Sequence, residues 1–307
     1  MSKSQNNSNY PLVSVIIPTY NRVDKLIVAV KSVIKQIYTN WELIIIDNNS
    51  EDKTSYEVNH LNNKKINLFI VDNKGVIGLS RNIGVSHAKG KYIAFLDSDD
   101  WWTIDKLYKS VNLLEKTGSS ILYHNCIFVK SNKYKKSKCR ILKNIPFDDL
   151  ITNGNTLITS SVVMDRNIFL NIGGFSESNS KIGWEDYHLW LRLAYEKNKF
   201  IFLKSFHGYC QKDDDNFDNS IRVLYNLDNI KKYMSEELDI NFKKIWWIYY
   251  TSGRANLANK YVKNTLSQFT TVIIRKSPFI YKLKSIYCIL LTIFNIINKF
   301  FNIKKNV

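Results

Sequence analysis

Over the first 129 positions, apolar residues follow two alternating rhythms. Residues 13–17 form a short β-branched run closed by Pro18. Leu26, Val30, Val33 and Ile34 then mark one face of a helix over 23–36. The runs 43–46, 66–71, 92–96 and 121–129 predict further strands, and 52–61, 78–88 and 104–116 predict helices between them. Strands alternating with helices of about 10–15 residues make βαβ units. The fold class is therefore α/β, with a mainly parallel sheet flanked by helices. The strands lack polar alternation, as expected where helices cover both faces.

Between residue 131 and about 205 the pattern weakens. It holds a basic loop, a strand at 160–164, a Gly173-Gly174 turn and a helix from Glu185 to about Lys197. From Ile221 onward the reading is helical.

A chain of 307 residues has room for one large α/β domain and a smaller appendage. With 45% hydrophobic residues, wholesale disorder is excluded. Cys126, Cys139, Cys210 and Cys288 show no paired spacing, which argues against a CxxC zinc site or a disulfide scaffold and suits a reducing cytosol. Residues 1–9 are polar, so no secretory signal is expected.

The net charge of +17 is unevenly placed. From Asn241 to Val307 there are 12 Lys/Arg and no acid; residues 130–143 add seven more basic residues and no acid. The rest is nearly neutral, so any polyanion should meet the tail or the 130–143 loop.

In an open parallel sheet, ligands bind beyond the carboxyl ends of the strands. Pro18-Thr19-Tyr20-Asn21-Arg22, Asp47-Asn48-Asn49-Ser50 and Asp97-Ser98-Asp99-Asp100 follow three strands, and Ser80-Arg81-Asn82 opens a helix. The first two also read as a turn and an Asx cap, and Arg81 as a surface arginine. Three carboxylates within four residues exceed what a helix cap uses. Such a cluster is usually neutralised by a divalent cation, and hard oxygen ligands point to Mg²⁺ or Mn²⁺. An EF-hand is excluded by the missing Gly and Glu. A dinucleotide fold is disfavoured because no GxGxxG follows the first strand.

The strings VSVIIPTYNR, IIIDNNSED, GLSRNIGVSHAKGKYIAFLDSDDWW, GGF and WEDYHLWLRL, in this order, resemble the family-2 glycosyltransferases. Those enzymes have the glycosyltransferase A fold, and the resemblance covers about residues 12–210. It implies that Pro18, Thr19, Tyr20 and Asn21 pack on a nucleotide base, with Tyr20 stacking. It implies that Asp47 and Asn48 bond the base, Asn48 standing where many members have Asp and accepting through its amide oxygen. Arg81 would contact base or phosphates. Asp97, followed by Ser98, would face the ribose, and Asp99 would hold Mn²⁺ or Mg²⁺ at the diphosphate. Asp100 would orient the loop. The turn Gly173-Gly174-Phe175 resembles the acceptor side, with Trp184 and Glu185 beside it, and Asp186 matches the catalytic base. Glu185 and Asp186 also read as first-turn acids of a helix. The implied reaction is inverting: a bound cation stabilises the departing diphosphate, and a carboxylate takes the proton of the acceptor hydroxyl.

In the tail, Lys284 and Lys299 bracket a 14-residue uncharged stretch, too short to span a bilayer. On a helix, Ser285, Cys288, Thr292, Asn295 and Lys299 share one face, and Ile286, Leu290, Ile293, Ile297 and Phe301 another. This reads as an interfacial helix with basic flanks that meets anionic lipid; a helical cap or a dimer interface is the alternative.

The expected organisation is a polar N-terminal tail (1–11), a catalytic domain (12–215) and a basic helical region (216–307). The expected protein transfers a hexose or N-acetylhexosamine from a nucleotide sugar, UDP-linked, to a saccharide on undecaprenyl diphosphate, in O-antigen or capsule assembly. It would sit in the cytoplasm, peripheral at the inner face of the membrane. A sugar nucleotidyltransferase is the alternative, disfavoured because the Gly-rich signature is absent. A nucleic-acid-binding protein is the other, disfavoured because the basic residues lie away from the motif edge; nucleic acid is not an expected partner.

Overall fold

A computed structural model describes residues 10–211 and 217–304. The chain divides into two compact units. One comprises Met1–Phe147 and Asn155–Asp213, the other Asp148–Gly154 and Asp214–Val307. Residues 148–154, which the sequence places within the catalytic region, thus belong to the second unit. The expected boundary at 215/216 lies outside the described residues, as do the first nine residues of the N-terminal tail.

The first unit is built on a nine-stranded sheet in the order β3-β2-β1-β4-β8-β6-β9-β5, with β7 added to β6. Its front half comprises β1 (Val13–Thr19), β2 (Trp41–Asp47), β3 (Ile66–Ile70) and β4 (Tyr92–Phe95), all parallel. Helices α1 (Val23–Ile34), α2 (Thr54–His60) and α3 (Ile77–Ser86) connect them, and α4 (Lys106–Thr117) follows the short strand β5 (Trp101–Trp102). β1 is buried along its whole length. Val13, Val15 and Ile17 pack with Leu26, Val30 and Val33 of α1. On the other face α3 presses so close that a Cβ on Gly84 would come within 2.4 Å of Ile16 Cγ2. Cover on both faces is why the run carries no polar alternation.

The second half adds antiparallel pairs to the mainly parallel sheet. β4 pairs antiparallel with β8 (Val163–Asp165), and β8 with β6 (Ile121–Lys130), so the sheet is mixed. β8 starts three residues later than expected, because Thr159–Ser161 form a 3₁₀ turn. β9 (Phe200–Gln211) runs parallel to β6 across a bulge at His124–Cys126. The basic loop is a hairpin: Ser131 and Asn132 both take positive φ, and Lys133–Ser137 return as β7. Lysines suit an edge strand, where charge blocks further pairing. Helices α5 (Pro146–Asn153), α6 (Arg166–Asn171) and α7 (Glu185–Tyr195) complete this part of the chain. The remainder of α5 after Phe147 is counted with the second unit.

The second unit is helical, with α8 (Phe217–Glu236), α9 (Trp246–Ala258), α10 (Val262–Ile274) and α11 (Phe279–Lys304). Met234, Ile248, Phe269 and Val272 are buried in it. Trp247 Nε1 donates to Ile151 O at 2.8 Å, which ties residues 148–154 to α9. Tyr281 packs its ring against Trp246 and Tyr250, with centroids at 4.6 and 5.0 Å.

α11 begins six residues before the expected stretch and runs for 26 residues. Phe279–Asn298 is therefore long and apolar enough to cross a membrane by length and composition, which corrects the expectation that it is too short. Ser285, Cys288 and Thr292 are buried, and Ile286, Leu290, Ile293 and Ile297 are exposed. The side chains of Lys299 and Phe301 lie outside the described residues.

Candidate active site

The carboxyl ends of β1, β2 and β4 gather the polar residues expected there. The loops after β1 and β2 clasp each other. Asn21, at φ 47°, donates its N–H to Ser50 Oγ at 2.8 Å, and its Oδ1 accepts Glu51 N–H at 2.8 Å. Asp47 is buried, and its Oδ1 accepts from both the N–H and the hydroxyl of Ser50. Asp47 thus forms the Asx-type turn that was its alternative reading.

A pocket of about 240 Å³ opens beside this clasp, lined by Pro18, Thr19, Tyr20, Arg22, Asn48, Asn73, Gly75, Ile77 and Ser98. Tyr20 is 53% exposed, so its ring is free for stacking. Asn48 Oδ1 accepts Asn73 N–H at 2.7 Å. One lone pair of its amide oxygen is therefore engaged, and Nδ2 remains available as a donor. Asn73, Gly75 and Ile77 were missed in the sequence, where no apolar rhythm marks the β3–α3 connection. Arg22 stood at the end of the first string without a role; its Nη1 bonds Asp99 Oδ2 at 2.8 Å.

The acids after β4 have unlike surroundings. Asp100 is buried, and its Oδ1 accepts Gln211 N–H at 3.0 Å. Ser160 Oγ accepts Asp97 N–H at 3.1 Å and bonds the Asp100 carboxylate. Burial and the charge of Asp97 push the Asp100 carboxyl up to about 7, despite those bonds. Asp97 and Asp99 remain partly exposed. Burial and Asp97 also raise Asp99 above its ordinary value, against the pull of Arg22.

Among the described residues, no three His, Cys, Asp or Glu side chains form a cage for a metal ion. Mg²⁺ commonly takes one or two carboxylates and completes its shell with substrate phosphates and water. Asp99, reachable from solvent and paired only with the exposed Arg22 side chain among the described residues, fits a cation bound in that manner.

Arg81 joins this strand end to α7. It is 3% exposed, with Nη2 on Asp97 Oδ1 at 2.7 Å and Nη1 on Glu185 Oε1 at 2.8 Å. Both terminal nitrogens are therefore engaged by protein carboxylates. Glu185 Oε2 in turn accepts Gly183 N–H at 2.8 Å. Removing one partner of a buried ion pair strands the other charge, at about 3–5 kcal/mol. Arg81→Met should therefore cost about that much stability, visible as a lower urea midpoint; an unchanged midpoint would contradict the bridge.

Asp186 lies one residue beyond Glu185, partly buried. Its Oδ1 accepts Tyr187 N–H at 2.6 Å, while Oδ2 faces Asn155 Nδ2 and Thr159 Oγ1, each at 3.3 Å. Burial and the neighbouring Glu185 charge push its carboxyl up to about 6, against the pull of that N–H and of Arg81. Asn155 and Thr159 stand in the irregular stretch and gave no signal in sequence. Trp184 is buried, with Nε1 donating to Ser180 O at 2.8 Å. The Gly173-Gly174 turn is held by Asn82, whose Oδ1 accepts Phe175 N–H at 2.9 Å.

The profile of Glycosyl transferase family 2 matches residues 14–175. The chain is 35% identical over 189 residues to WfgD of Escherichia coli, a UDP-Glc:alpha-D-GlcNAc-diphosphoundecaprenol beta-1,3-glucosyltransferase; the alignment covers 61% of this chain and 71% of that one. It is 34% identical over 184 residues to WfaP of the same species, which carries the same description, covering 59% and 70%. Among solved structures, the mannosyltransferase PcManGT of Pyrobaculum calidifontis, in complex with GDP-Man and Mn²⁺, superposes with a TM-score of 0.58 at 16% identity, over 92% and 81% of the two chains. TarS 1-349 of S. aureus gives 0.56 at 18%, over 91% and 89%. The fold is that of the glycosyltransferase A enzymes. The chain belongs to glycosyl transferase family 2 and is a glycosyltransferase.

Proposed function

We propose that this enzyme transfers a hexose or N-acetylhexosamine, with inversion, from a UDP-sugar to a saccharide on undecaprenyl diphosphate, in O-antigen or capsule assembly. The observation that carries the reading is Asp186. It is a carboxylate at the first turn of α7, raised to about 6 and still ionised at neutral pH, with only two long contacts on one oxygen. A group of that kind is suited to act as a general base. The names of WfgD and WfaP support a UDP-linked donor and a diphosphoundecaprenol acceptor.

In this reading Tyr20 stacks on the base, and Asn48 Nδ2 donates to a base carbonyl. Pro18, Thr19, Asn21 and Asp47 shape that pocket. Asp97 and Ser98 meet the ribose, and Arg81 holds Asp97 against α7. Asp99 would hold Mn²⁺ or Mg²⁺, which when bound supplies positive charge against the diphosphate as it leaves. Asp186 takes the proton of the acceptor hydroxyl as its oxygen bonds the anomeric carbon and the bond to diphosphate breaks on the opposite face. An α-linked donor therefore gives a β-glycoside. Trp184 and Glu185 frame the acceptor side. The basic second unit supports a cytoplasmic enzyme, peripheral on the anionic inner face of the membrane.

The test is to incubate the protein with Mn²⁺, UDP-glucose, UDP-galactose or UDP-N-acetylglucosamine, and a synthetic α-GlcNAc-diphosphate-lipid. The expected result is UDP release and one β-linked product by NMR. An α-linked product overturns inversion, and diphosphate released from a nucleoside triphosphate overturns the reaction class.

A further inference from the structure

Helix α11 is inside out. Its packed face carries Ser285, Cys288 and Thr292, while Phe279, Leu283, Ile286, Leu290, Ile293 and Ile297 stand exposed at spacings of three and four. A helix meeting only water puts its apolar stripe inward. The small inner residues let α11 lie close to its neighbours, and the stripe left outside runs for about 27 Å at ~1.5 Å per residue. A continuous apolar strip of that length marks a contact surface.

A pocket of about 560 Å³ is built largely from residues just ahead of α11 in the chain. It is walled by Lys244, Thr271, Ile274, Arg275 and Lys276, the last three at the end of α10 and the start of the link to α11. Ile274, on the pocket wall, is 78% exposed. Arg275 lies over the Tyr249 ring at 5.6 Å, which holds its guanidinium in place. Among the described residues no carboxylate pairs with Lys244, Arg275 or Lys276, and the sequence has no acid after Asp239. Three uncompensated cations together with an apolar strip match a molecule with a phosphate head and an acyl tail.

We propose that the Lys244–Arg275–Lys276 pocket binds the phosphodiester headgroup of an anionic phospholipid, while the exposed face of α11 lies in the acyl boundary of the same leaflet. This rests on the membrane-surface reading above and supplies it with a site. Charge complementarity decides the occupant. A second copy on this face would bring two acid-free basic tails together, whereas an anionic leaflet attracts each Lys or Arg by about 1 kcal/mol. Lys282 and Lys284, on the first two turns, suit headgroup depth rather than hydrocarbon.

The test uses the full chain and sedimentation with vesicles free of undecaprenyl lipid, of phosphatidylcholine alone or with about 30% phosphatidylglycerol. Wild type should sediment far more with the anionic vesicles than with phosphatidylcholine alone. Combined Lys244→Gln, Arg275→Gln and Lys276→Gln should lower partitioning about 100-fold. Combined Lys133→Gln, Lys135→Gln and Lys136→Gln on β7 removes the same charge and should lower it less than about threefold. Ile286→Gln with Leu290→Gln should abolish the part of binding that survives high salt. UDP titration of every variant reports the donor half separately, so a failed vesicle result leaves the glycosyltransferase reading standing. Wild type ignoring anionic vesicles overturns the membrane reading itself. Wild-type binding by the first triple, or equal loss in both triples, overturns the headgroup site. Retention through alkaline carbonate, or a dimer that the α11 variants dissociate, replaces it with a spanning helix or a second copy.

Discussion

Asp186→Asn is expected to lower turnover by at least ~10²-fold while leaving donor affinity nearly unchanged. Asparagine keeps the size of the side chain and accepts Tyr187 N–H as before, but it cannot take a proton. The neighbouring acid is unsuited to the task, because both Glu185 oxygens are engaged, one by Arg81 and one by Gly183 N–H. Glu185→Gln should therefore act through stability and loop order, and a larger loss of turnover there than in Asp186→Asn would reverse the assignment. The pH profile gives an independent check. A base must be ionised to act, and Asp186 is raised to about 6. With donor and acceptor saturating, wild-type turnover should be level above neutrality and fall about tenfold per pH unit below about 6. A profile still level at pH 5 would exclude a group with this pKa as the base. Collapse of UDP binding along with turnover would move Asp186 to the nucleotide half.

Asp99→Ala is expected to abolish transfer and weaken UDP binding in Mn²⁺, with the fold intact. Among the described residues, the ion pair lost is the partly exposed one with Arg22, worth at most about 1 kcal/mol. Removing Asp99 also relieves crowding among Asp97, Asp99 and Asp100, so the urea midpoint should barely move. Titrating UDP with and without Mn²⁺ checks the assignment. Wild type should bind more tightly with the ion, and Asp99→Ala should show little difference. Full wild-type activity in excess EDTA would remove the metal from the reaction.

The front half of the catalytic fold was legible because burial on both faces writes β1, β2 and β4 as apolar runs. The strand ends were legible too, since the polar residues at and after the carboxyl ends of β1, β2 and β4 fall on one edge. β9 was not, because Lys204 and Ser205 interrupt its apolar residues. β7 was hidden by its lysines, which make sense only on an edge strand. Asn155 and Thr159 reach Asp186 from an irregular segment, and no periodicity marks a residue whose place is set by tertiary contact alone. Asn48 was read as an acceptor; that its oxygen is used by Asn73 emerges only from the packing of two loops 25 residues apart. In α11 the stripe was visible, but a period of 3.6 does not say which face turns inward.

The Arg81 bridge also bears on how such enzymes are recombined. A chimaera that exchanges residues 97–100 alone would set a foreign acid against Arg81 and leave Glu185 with its old partner. The unit that transfers intact runs from Ile77 through Asp100 and includes Arg22 and 183–195, because one guanidinium ties Asp97 to Glu185 and another pairs with Asp99. Grafts cut along those lines carry these ion pairs with them, and the charge balance of the strand end becomes a property of a cassette rather than of a loop.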